Sequence, residues 1–171
     1  MTLTVRAILK HPDAALQRVA ERVVKFDTKV SSIVRDLQDT LEDAGGIGLA
    51  ATQIDQHLQI IAILPTHNPR APRIYVNPEI TAKSAWGLVE ESCLSVPGVV
   101  GHVFRATKVS LAAQDEGGSS FEYALEGMDA VCLQHEIDHL SGKLFTDRLP
   151  LLEKCRLQLK SLFMHKALQD H

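Results

Sequence analysis

The sequence feature that most constrains this chain is the run Gln134-His135-Glu136-Ile137-Asp138-His139, which contains an HExxH pattern. Histidines four residues apart lie on one face of a helix, so both imidazoles can reach one metal ion. The glutamate beside the first histidine then lies near a water on that ion without being a ligand. The apolar flanks and Gly142 predict a buried helix that ends at a left-handed cap. The alternative interpretation is a buried helix with two hydrogen-bonded histidines, because so short a pattern also arises by chance.

Composition narrows the class of protein. With 171 residues, 45% hydrophobic and 23% charged, the chain matches one globular domain over residues 1–171. A net charge of −3 argues against generic nucleic-acid binding, and we expect no sequence-specific binding of nucleic acid. No apolar run is long enough to span a membrane, and the first ten residues do not resemble a signal peptide. We therefore expect a cytoplasmic protein with no membrane partner, whose three cysteines are thiols.

The remaining patterns predict an α+β fold. An N-terminal helix is expected from the N-cap Asp27 to about Ala44, because apolar residues recur there at helical spacing and Gly45-Gly46 follows. Short strands are expected at 58–64, 73–76, 86–91, 99–104, 108–113 and 121–125. A C-terminal helix is expected from about residue 151. This order favours mainly antiparallel β-sheets wrapped around a central HExxH helix.

Two histidines leave a catalytic metal site short of a third protein ligand. Downstream of the HExxH run, four side chains could ligate a metal, but none of them lies in a recognisable metal-binding motif. They are Asp147, Glu153, Cys155 and His165. Upstream, Cys93 lies between a predicted strand and Pro97-Gly98, where a thiolate can be held rigidly. Cys132 is the rival because it lies about one helical turn before His135, although its apolar surroundings indicate a core or pocket-wall residue. Chemistry alone favours Cys93 and leaves Cys132 open.

Three segments together resemble the signature motifs of the peptide deformylase family: Gly46-Ile47-Gly48-Leu49-Ala50-Ala51-Thr52-Gln53, Glu91-Ser92-Cys93-Leu94-Ser95 and Gln134-His135-Glu136-Ile137-Asp138-His139. Their order and spacing also fit, and the likeness extends roughly over residues 9–149. The resemblance implies a metal-dependent hydrolase that releases formate from the N-terminal formyl-methionine of nascent bacterial polypeptides.

The resemblance also implies a role for each motif residue. The metal ligands would be Cys93, His135 and His139, and the general base would be Glu136. The oxyanion donors would be the side chain of Gln53 and the backbone N–H of Leu94. Without the family, Gln53 reads as a loop cap or surface amide. The family typically works with Fe²⁺, whereas a site of two histidines and one cysteine suits Zn²⁺ by softness, and Ni²⁺ or Co²⁺ can also be present as purified.

Further residues are expected to bind the substrate. The backbone of Gly46, Ile47 and Gly48 can pair with an extended peptide as an added strand, which suits an enzyme that acts on many nascent chains. The methionine side chain would enter an apolar pocket beside the HExxH helix, with Val131, Cys132 and His135 as candidate walls.

The second motif contributes two more expected substrate-cleft residues, Glu91 and Ser92. Glu91 is expected to form an ion pair with Arg105 that braces the cysteine segment, the alternative being a solvated surface pair. Ser92 replaces the glycine that the family usually has there. We expect a negative φ at Ser92, because a strained residue beside a ligand would disturb the metal site.

The predicted C-terminal helix is a candidate contact with the ribosome near the exit tunnel. Its expected exposed side is mildly basic: Lys154, Arg156, Lys160 and Lys166. Relatives can dock on the ribosome through such a tail, but the positive excess is small, which favours a solvated helix packed on the domain.

Two other functions fit the HExxH run: another metallo-amidohydrolase or protease, and a catalytically weak paralogue that acts as a binding protein. The glycine-rich segment and the Cys93 motif argue against a protease. The presence of both Glu136 and Gln53 argues against a binding protein, because neither is needed for structure alone.

Overall fold

The computed structural model describes residues 4–151 and 153–154 and places two α-helices against one sheet. The helices are α1 (Thr28–Ala44) and α2 (Gly127–Leu140). The strands are β1 (Gly48–Ala50), β2 (Ile60–Ile63), β3 (Arg73–Cys93), β4 (Val96–Gln114) and β5 (Ser120–Glu126). Short 3-10 helices cover Ala14–Gln17, Ala51–Ile54 and Phe145–Arg148. The expected α+β class is confirmed.

Helix α1 has the predicted bounds for the predicted reasons. The Asp27 carboxylate accepts a hydrogen bond from the Lys29 N–H at 3.0 Å, which satisfies one free donor of the first turn. Gly45 ends the helix with φ at +63°, a value at which a side chain would be strained. The apolar face of the helix is buried against β2 and the segment after β1, with Leu37 and Leu41 fully covered.

The sheet is antiparallel, with the strands in sequence order from β1 to β5. Two long strands replace four of the predicted short ones, because residues 73–76 and 86–91 both belong to β3, and 99–104 and 108–113 both belong to β4. The predicted break in β3 contains Pro78 and a mostly exposed stretch, so it lacks the apolar alternation that marks a half-buried strand. Register shifts after Val76 and Ile80 keep this stretch within the ladder.

Helix α2 carries the HExxH run and packs against strands β1, β2, β4 and β5. It is buried on nearly every side, and its core neighbours include Ile61, Tyr75 and Leu111. The helix ends as predicted, with Gly142 at φ +67°. A Cβ built at Gly142 would lie 2.3 Å from the Gln17 carbonyl oxygen, so only glycine fits there.

Three further points complete the fold. The β4–β5 turn lies at residues 115–118, where Asp115 accepts hydrogen bonds from the N–H groups of Gly117 and Ser119. Among the described residues, no helix has the length and apolar character needed to cross a membrane. The C-terminal helix expected from about residue 151 lies almost wholly outside the described residues.

Candidate metal centre and substrate cleft

The structure brings together one cysteine and two histidines. Ligand atoms of Cys93, His135 and His139 all lie within 4.8 Å of one another, and Cys93 Sγ is 3.2 Å from His139 Nε2. Cys93 is the last residue of β3, and the two histidines lie one turn apart on α2. The rival ligand, Cys132, points elsewhere, since its Sγ is 3.6 Å from the carbonyl oxygen of Ile47.

The other ligand candidates lie apart from this cluster. Asp147 accepts a hydrogen bond from the Leu144 N–H, and Glu153 accepts one from the His102 N–H. Cys155 and His165 are outside the described residues.

The cluster fits a divalent metal ion by its donor set. One thiolate and two imidazoles are soft or borderline ligands, and three protein ligands leave a further position open, as in catalytic sites. Burial lowers the pKa of His139 to about 3, so this imidazole is neutral, which is the form that ligates.

The first histidine is oriented by Glu91. His135 Nδ1 lies 2.7 Å from Glu91 Oε2, which fixes the ring and leaves Nε2 for the cluster. Burial raises the pKa of Glu91, but hydrogen bonds from His135 and Arg105 lower it to about 2. Glu91 is therefore a carboxylate whose oxygens are engaged inside the protein. It supports a ligand, although the sequence reading placed it among the groups that contact substrate.

The predicted pair of Glu91 and Arg105 is confirmed, and the solvated alternative is wrong. The contacts are bidentate, at 2.7 and 3.1 Å, and both side chains are almost fully buried. Arg105 also contacts Asp138 at 2.6 Å, and Arg148 contacts the same carboxylate with two nitrogens. Two carboxylates and two guanidiniums thus balance their charges behind His135.

Sequence reasoning did not assign Asp138 or Arg148. Asp138 stands inside the HExxH run on a helix that was expected to be buried, and a buried carboxylate requires a partner. That requirement was the available signal. The sequence does not show which residue is the partner, because Arg105 and Arg148 reach Asp138 only through tertiary packing.

The side chain of Glu136 lies beside strand β1, close to Gly48. Its side chain is buried, and Oε2 has no hydrogen-bond partner within the described residues. A Cβ built on Gly48 would lie 2.4 Å from Glu136 Oε1, so the carboxyl group approaches the β1 backbone closely. Burial raises the pKa of Glu136 to about 7, which allows it to accept and return a proton near neutral pH.

Gln53 is held in the first 3-10 helix after β1. Its Oε1 accepts from the Ala50 N–H at 2.8 Å, while Nε2 donates to Ser95 Oγ at 3.0 Å and lies 3.7 Å from Cys93 Sγ. The surface-amide alternative is wrong, because the side chain is buried, whereas its bond from the Ala50 N–H is the cap contact of the loop-cap alternative. Ser95 was not assigned a role from sequence, although it lies within the cysteine motif and orients this amide.

One cavity of about 630 Å³ joins these groups. It is lined by most of the residues expected to bind metal or substrate: Gly46, Ile47, Gly48, Gln53, Glu91, Ser92, Cys93, Leu94, Val131, Cys132, His135 and Glu136. Strand β1 is the edge of the sheet, with β2 on one side and the cavity beside it. Among the described strands, β1 pairs with β2 alone, and its first residue, Gly48, lines the cavity, which is the arrangement that addition of a peptide strand requires.

Ser92 occupies this cleft without backbone strain. Within the described residues, positive φ outside glycine occurs only at Asp55, Asn77 and Ala85. The expected negative φ at Ser92 is therefore confirmed. Ser92 pairs with Val100, and the register shifts immediately afterwards at Cys93, so the irregularity lies beside the ligand.

A family model, similar sequences and similar solved structures all indicate the same protein family. Residues 5–155 match the family model described as polypeptide deformylase. The chain is 40% identical to the peptide deformylase of Chromobacterium violaceum over 153 residues, which cover 90% of this chain and 92% of that protein. A crystal structure of a peptide deformylase from Legionella pneumophila superposes with a TM-score of 0.86 at 41% identity, covering 98% of both chains.

A further structure shows a peptide bound to a relative. The peptide deformylase from Acinetobacter baumannii with bound Met-Ala-Ser has a TM-score of 0.79 and 30% identity, covering 86% of this chain and 100% of that one.

Proposed function

Since the chain belongs to the peptide deformylase family, it is a metal-dependent hydrolase that removes the formyl group from the N-terminus of nascent polypeptides, and we propose a role for each group in its cavity. The observation that carries the proposal is the convergence of Cys93, His135 and His139 beside Glu136 in that cavity. Nothing in the structure favours the protease or the non-catalytic binding protein.

We propose that Cys93, His135 and His139 hold the divalent ion that the family uses, with Fe²⁺ as the native metal. Zn²⁺, Ni²⁺ or Co²⁺ would fit the same donor set in purified protein. A divalent ion held by these residues would supply Lewis-acid chemistry and would lower the pKa of water from 15.7 to about 7, so that a nucleophile is available at neutral pH. Glu91 and Arg105 keep His135 in the orientation that ligation needs.

Glu136 acts as general base and then as general acid. Its Oε2 accepts no hydrogen bond from any residue that the structure describes, so it is free to take a proton from the attacking water. The same carboxyl group then delivers that proton to the leaving amine of methionine, because a group with a pKa near 7 exchanges protons readily in both directions.

Gln53 and Leu94 stabilise the charge that develops on the formyl oxygen. Ala50 and Ser95 hold the Gln53 amide in place, and Nε2 makes a second, longer hydrogen bond of 3.7 Å to Cys93 Sγ, which directs that N–H toward the cavity. The Leu94 N–H follows the ligand directly in the chain. Donors fixed before reaction stabilise the oxyanion without a cost of reorganisation.

The peptide lies in the cleft as an extended strand beside β1. The Met-Ala-Ser bound to the Acinetobacter baumannii relative supports this choice of ligand. The backbone of Gly46, Ile47 and Gly48 would pair with the peptide, and Val131 and Cys132 would cover the methionine side chain. Main-chain pairing does not read side chains, which suits a substrate with many sequences.

The ligand assignment is tested by metal content. Cys93→Ala should lose most of the bound metal, because it removes one of three ligands. Cys132→Ala is the matched control and should keep an occupancy near that of the unaltered protein. The reverse result would move the third ligand to Cys132.

Three broader expectations remain proposals: a single catalytic domain over residues 1–171, a cytoplasmic location, and docking near the ribosomal exit tunnel through residues 151–171. Ribosome co-sedimentation of the full chain and of a chain that ends at Leu149 tests the last. Equal co-sedimentation of the two proteins would refute a docking role for that segment.

A further inference from the structure

The two proposed oxyanion donors come from segments that are distant in the chain, and the N-terminal segment contacts both of them. The Leu9 N–H donates to the Gln53 carbonyl at 2.8 Å. Two residues later, the His11 N–H donates to the Ser95 carbonyl at 2.8 Å. Between them, Lys10 Nζ donates to the Leu94 carbonyl at 2.6 Å.

We propose that Lys10 is a positioning residue for deformylation: by holding the Leu94 carbonyl it restricts backbone rotation at Leu94, so that the Leu94 N–H, which lies in the preceding peptide unit, and the Gln53 amide converge on the same oxygen. The inference rests on the proposed roles of Gln53 and Leu94. The sequence analysis assigned Lys10 no function.

The geometry explains why the ammonium matters beside two backbone bonds. The bond from His11 fixes the carbonyl of Ser95, and the bond from Leu9 fixes that of Gln53. Leu94 lies in the turn between the paired residues Cys93 and Val96, and within the part of the chain that the structure describes its carbonyl accepts a hydrogen bond from Lys10 Nζ. A hydrogen bond from an ammonium to a carbonyl is charge-assisted, and therefore stronger than one between neutral groups.

Lys10 also lines the cavity that contains Cys93 and Glu136. Two other roles are therefore open to it: direct contact with the peptide, and stabilisation of the fold alone. Each role predicts a different kinetic result. Loss of ground-state contact with the peptide raises KM at constant kcat, whereas loss of donor alignment lowers kcat. Loss of fold stability lowers the melting temperature and leaves kcat per folded molecule unchanged.

The experiment compares Lys10→Met with Lys10→Arg in the metal-loaded full chain, with formyl-Met-Ala-Ser as substrate. Removal of a donor costs about 10²–10³ in kcat, and Lys10 only aligns one, so we expect Lys10→Met to lower kcat by about tenfold. KM should stay within about twofold, and metal content should be unchanged. Lys10→Arg keeps a cationic donor and should recover most of the lost kcat.

Lys108→Met is the matched control. Lys108 is also an exposed lysine, and its ammonium contacts Glu126 Oε1 at 3.0 Å, but it lies on β4 and does not line the cavity. Its substitution should leave kcat and KM unchanged.

Three outcomes would overturn the proposal: a raised KM at constant kcat for Lys10→Met, a fall in activity matched by loss of folded or metal-loaded protein, or no recovery with arginine. Gln53→Ala separates this failure from failure of the underlying assignment. If Gln53→Ala leaves kcat unchanged, the donor assignment itself is wrong. If Gln53→Ala lowers kcat and Lys10→Met does not, only the positioning role is wrong.

Discussion

Gly48→Ala tests how closely the β1 backbone must approach the general base. A Cβ at this position would lie 2.4 Å from Glu136 Oε1 and 2.5 Å from Cys132 Sγ. Both distances fall about 1 Å short of ordinary van der Waals contact. Neither backbone can yield easily, because Gly48 is paired with Ile63 in the sheet and α2 is buried on most sides.

The size of the expected loss of activity follows from how far Glu136 must move to make room for the added Cβ. The Glu136 carboxyl group must move by about 1 Å, and misplacement of a catalytic group by that distance costs about 10²-fold in rate. Overpacking by one methyl group in a filled site costs about 1–3 kcal/mol of stability. We therefore expect Gly48→Ala to fold and to keep its metal, since the three atoms nearest to the added Cβ belong to Glu136 and Cys132 and not to a proposed ligand.

The assay measures kcat for formate release, metal content and the free energy of unfolding on the same preparations. Gly87→Ala is the control, because its Cβ would meet only Thr107 Cγ2 at 3.9 Å, an ordinary contact. This control should match the unaltered protein in all three quantities.

Retention of nearly full kcat in metal-loaded Gly48→Ala would refute the reasoning. It would mean that Glu136 works equally well from a displaced position, or that another group is the base. A loss of metal together with activity would instead show that the substitution distorts the ligand cluster.

Other predictions address the base, the metal and the cleft. Glu136→Gln should keep the metal and lose nearly all turnover, because an amide does not accept the proton; substantial residual activity in folded, metal-loaded protein would exclude Glu136 as the base. Activity of the iron-loaded protein should decline in air, at the metal or at the Cys93 thiolate, and persist longer with Co²⁺ or Ni²⁺; full activity after prolonged aeration would contradict this. Ser92→Gly should bind metal equally well and change mainly KM, because serine already has an unstrained φ; a large gain in kcat at constant KM would show instead that Ser92 distorts the centre.

The sequence predicted those parts of the fold that local chemistry determines. Helix α1 followed from the Asp27 cap and the Gly45 stop, and the end of α2 followed from Gly142. Strand β1 was missed as a strand, because three residues beginning with a glycine carry no alternating pattern. The continuity of β3 was also missed, since the ladder holds its exposed middle by pairing with β4 rather than by apolar contacts.

The site shows the same division between local and tertiary information. The spacing of His135 and His139 on one helical turn is local, and it indicated a metal site directly. The choice between Cys93 and Cys132 depends on tertiary structure. Only in the folded chain does the end of β3 bring Cys93 to the two histidines of α2. The Asp138, Arg148 and Lys10 contacts likewise depend on segments that meet only in the folded chain.

Formate release from formyl-Met-Ala-Ser, measured against metal occupancy in anaerobically purified protein, tests the central claim most directly. We expect activity to rise in proportion to bound metal and to saturate at one ion per chain, with Cys93→Ala failing to reach that occupancy. Formate release that is independent of metal content, or no release from fully loaded protein, would contradict the proposed centre.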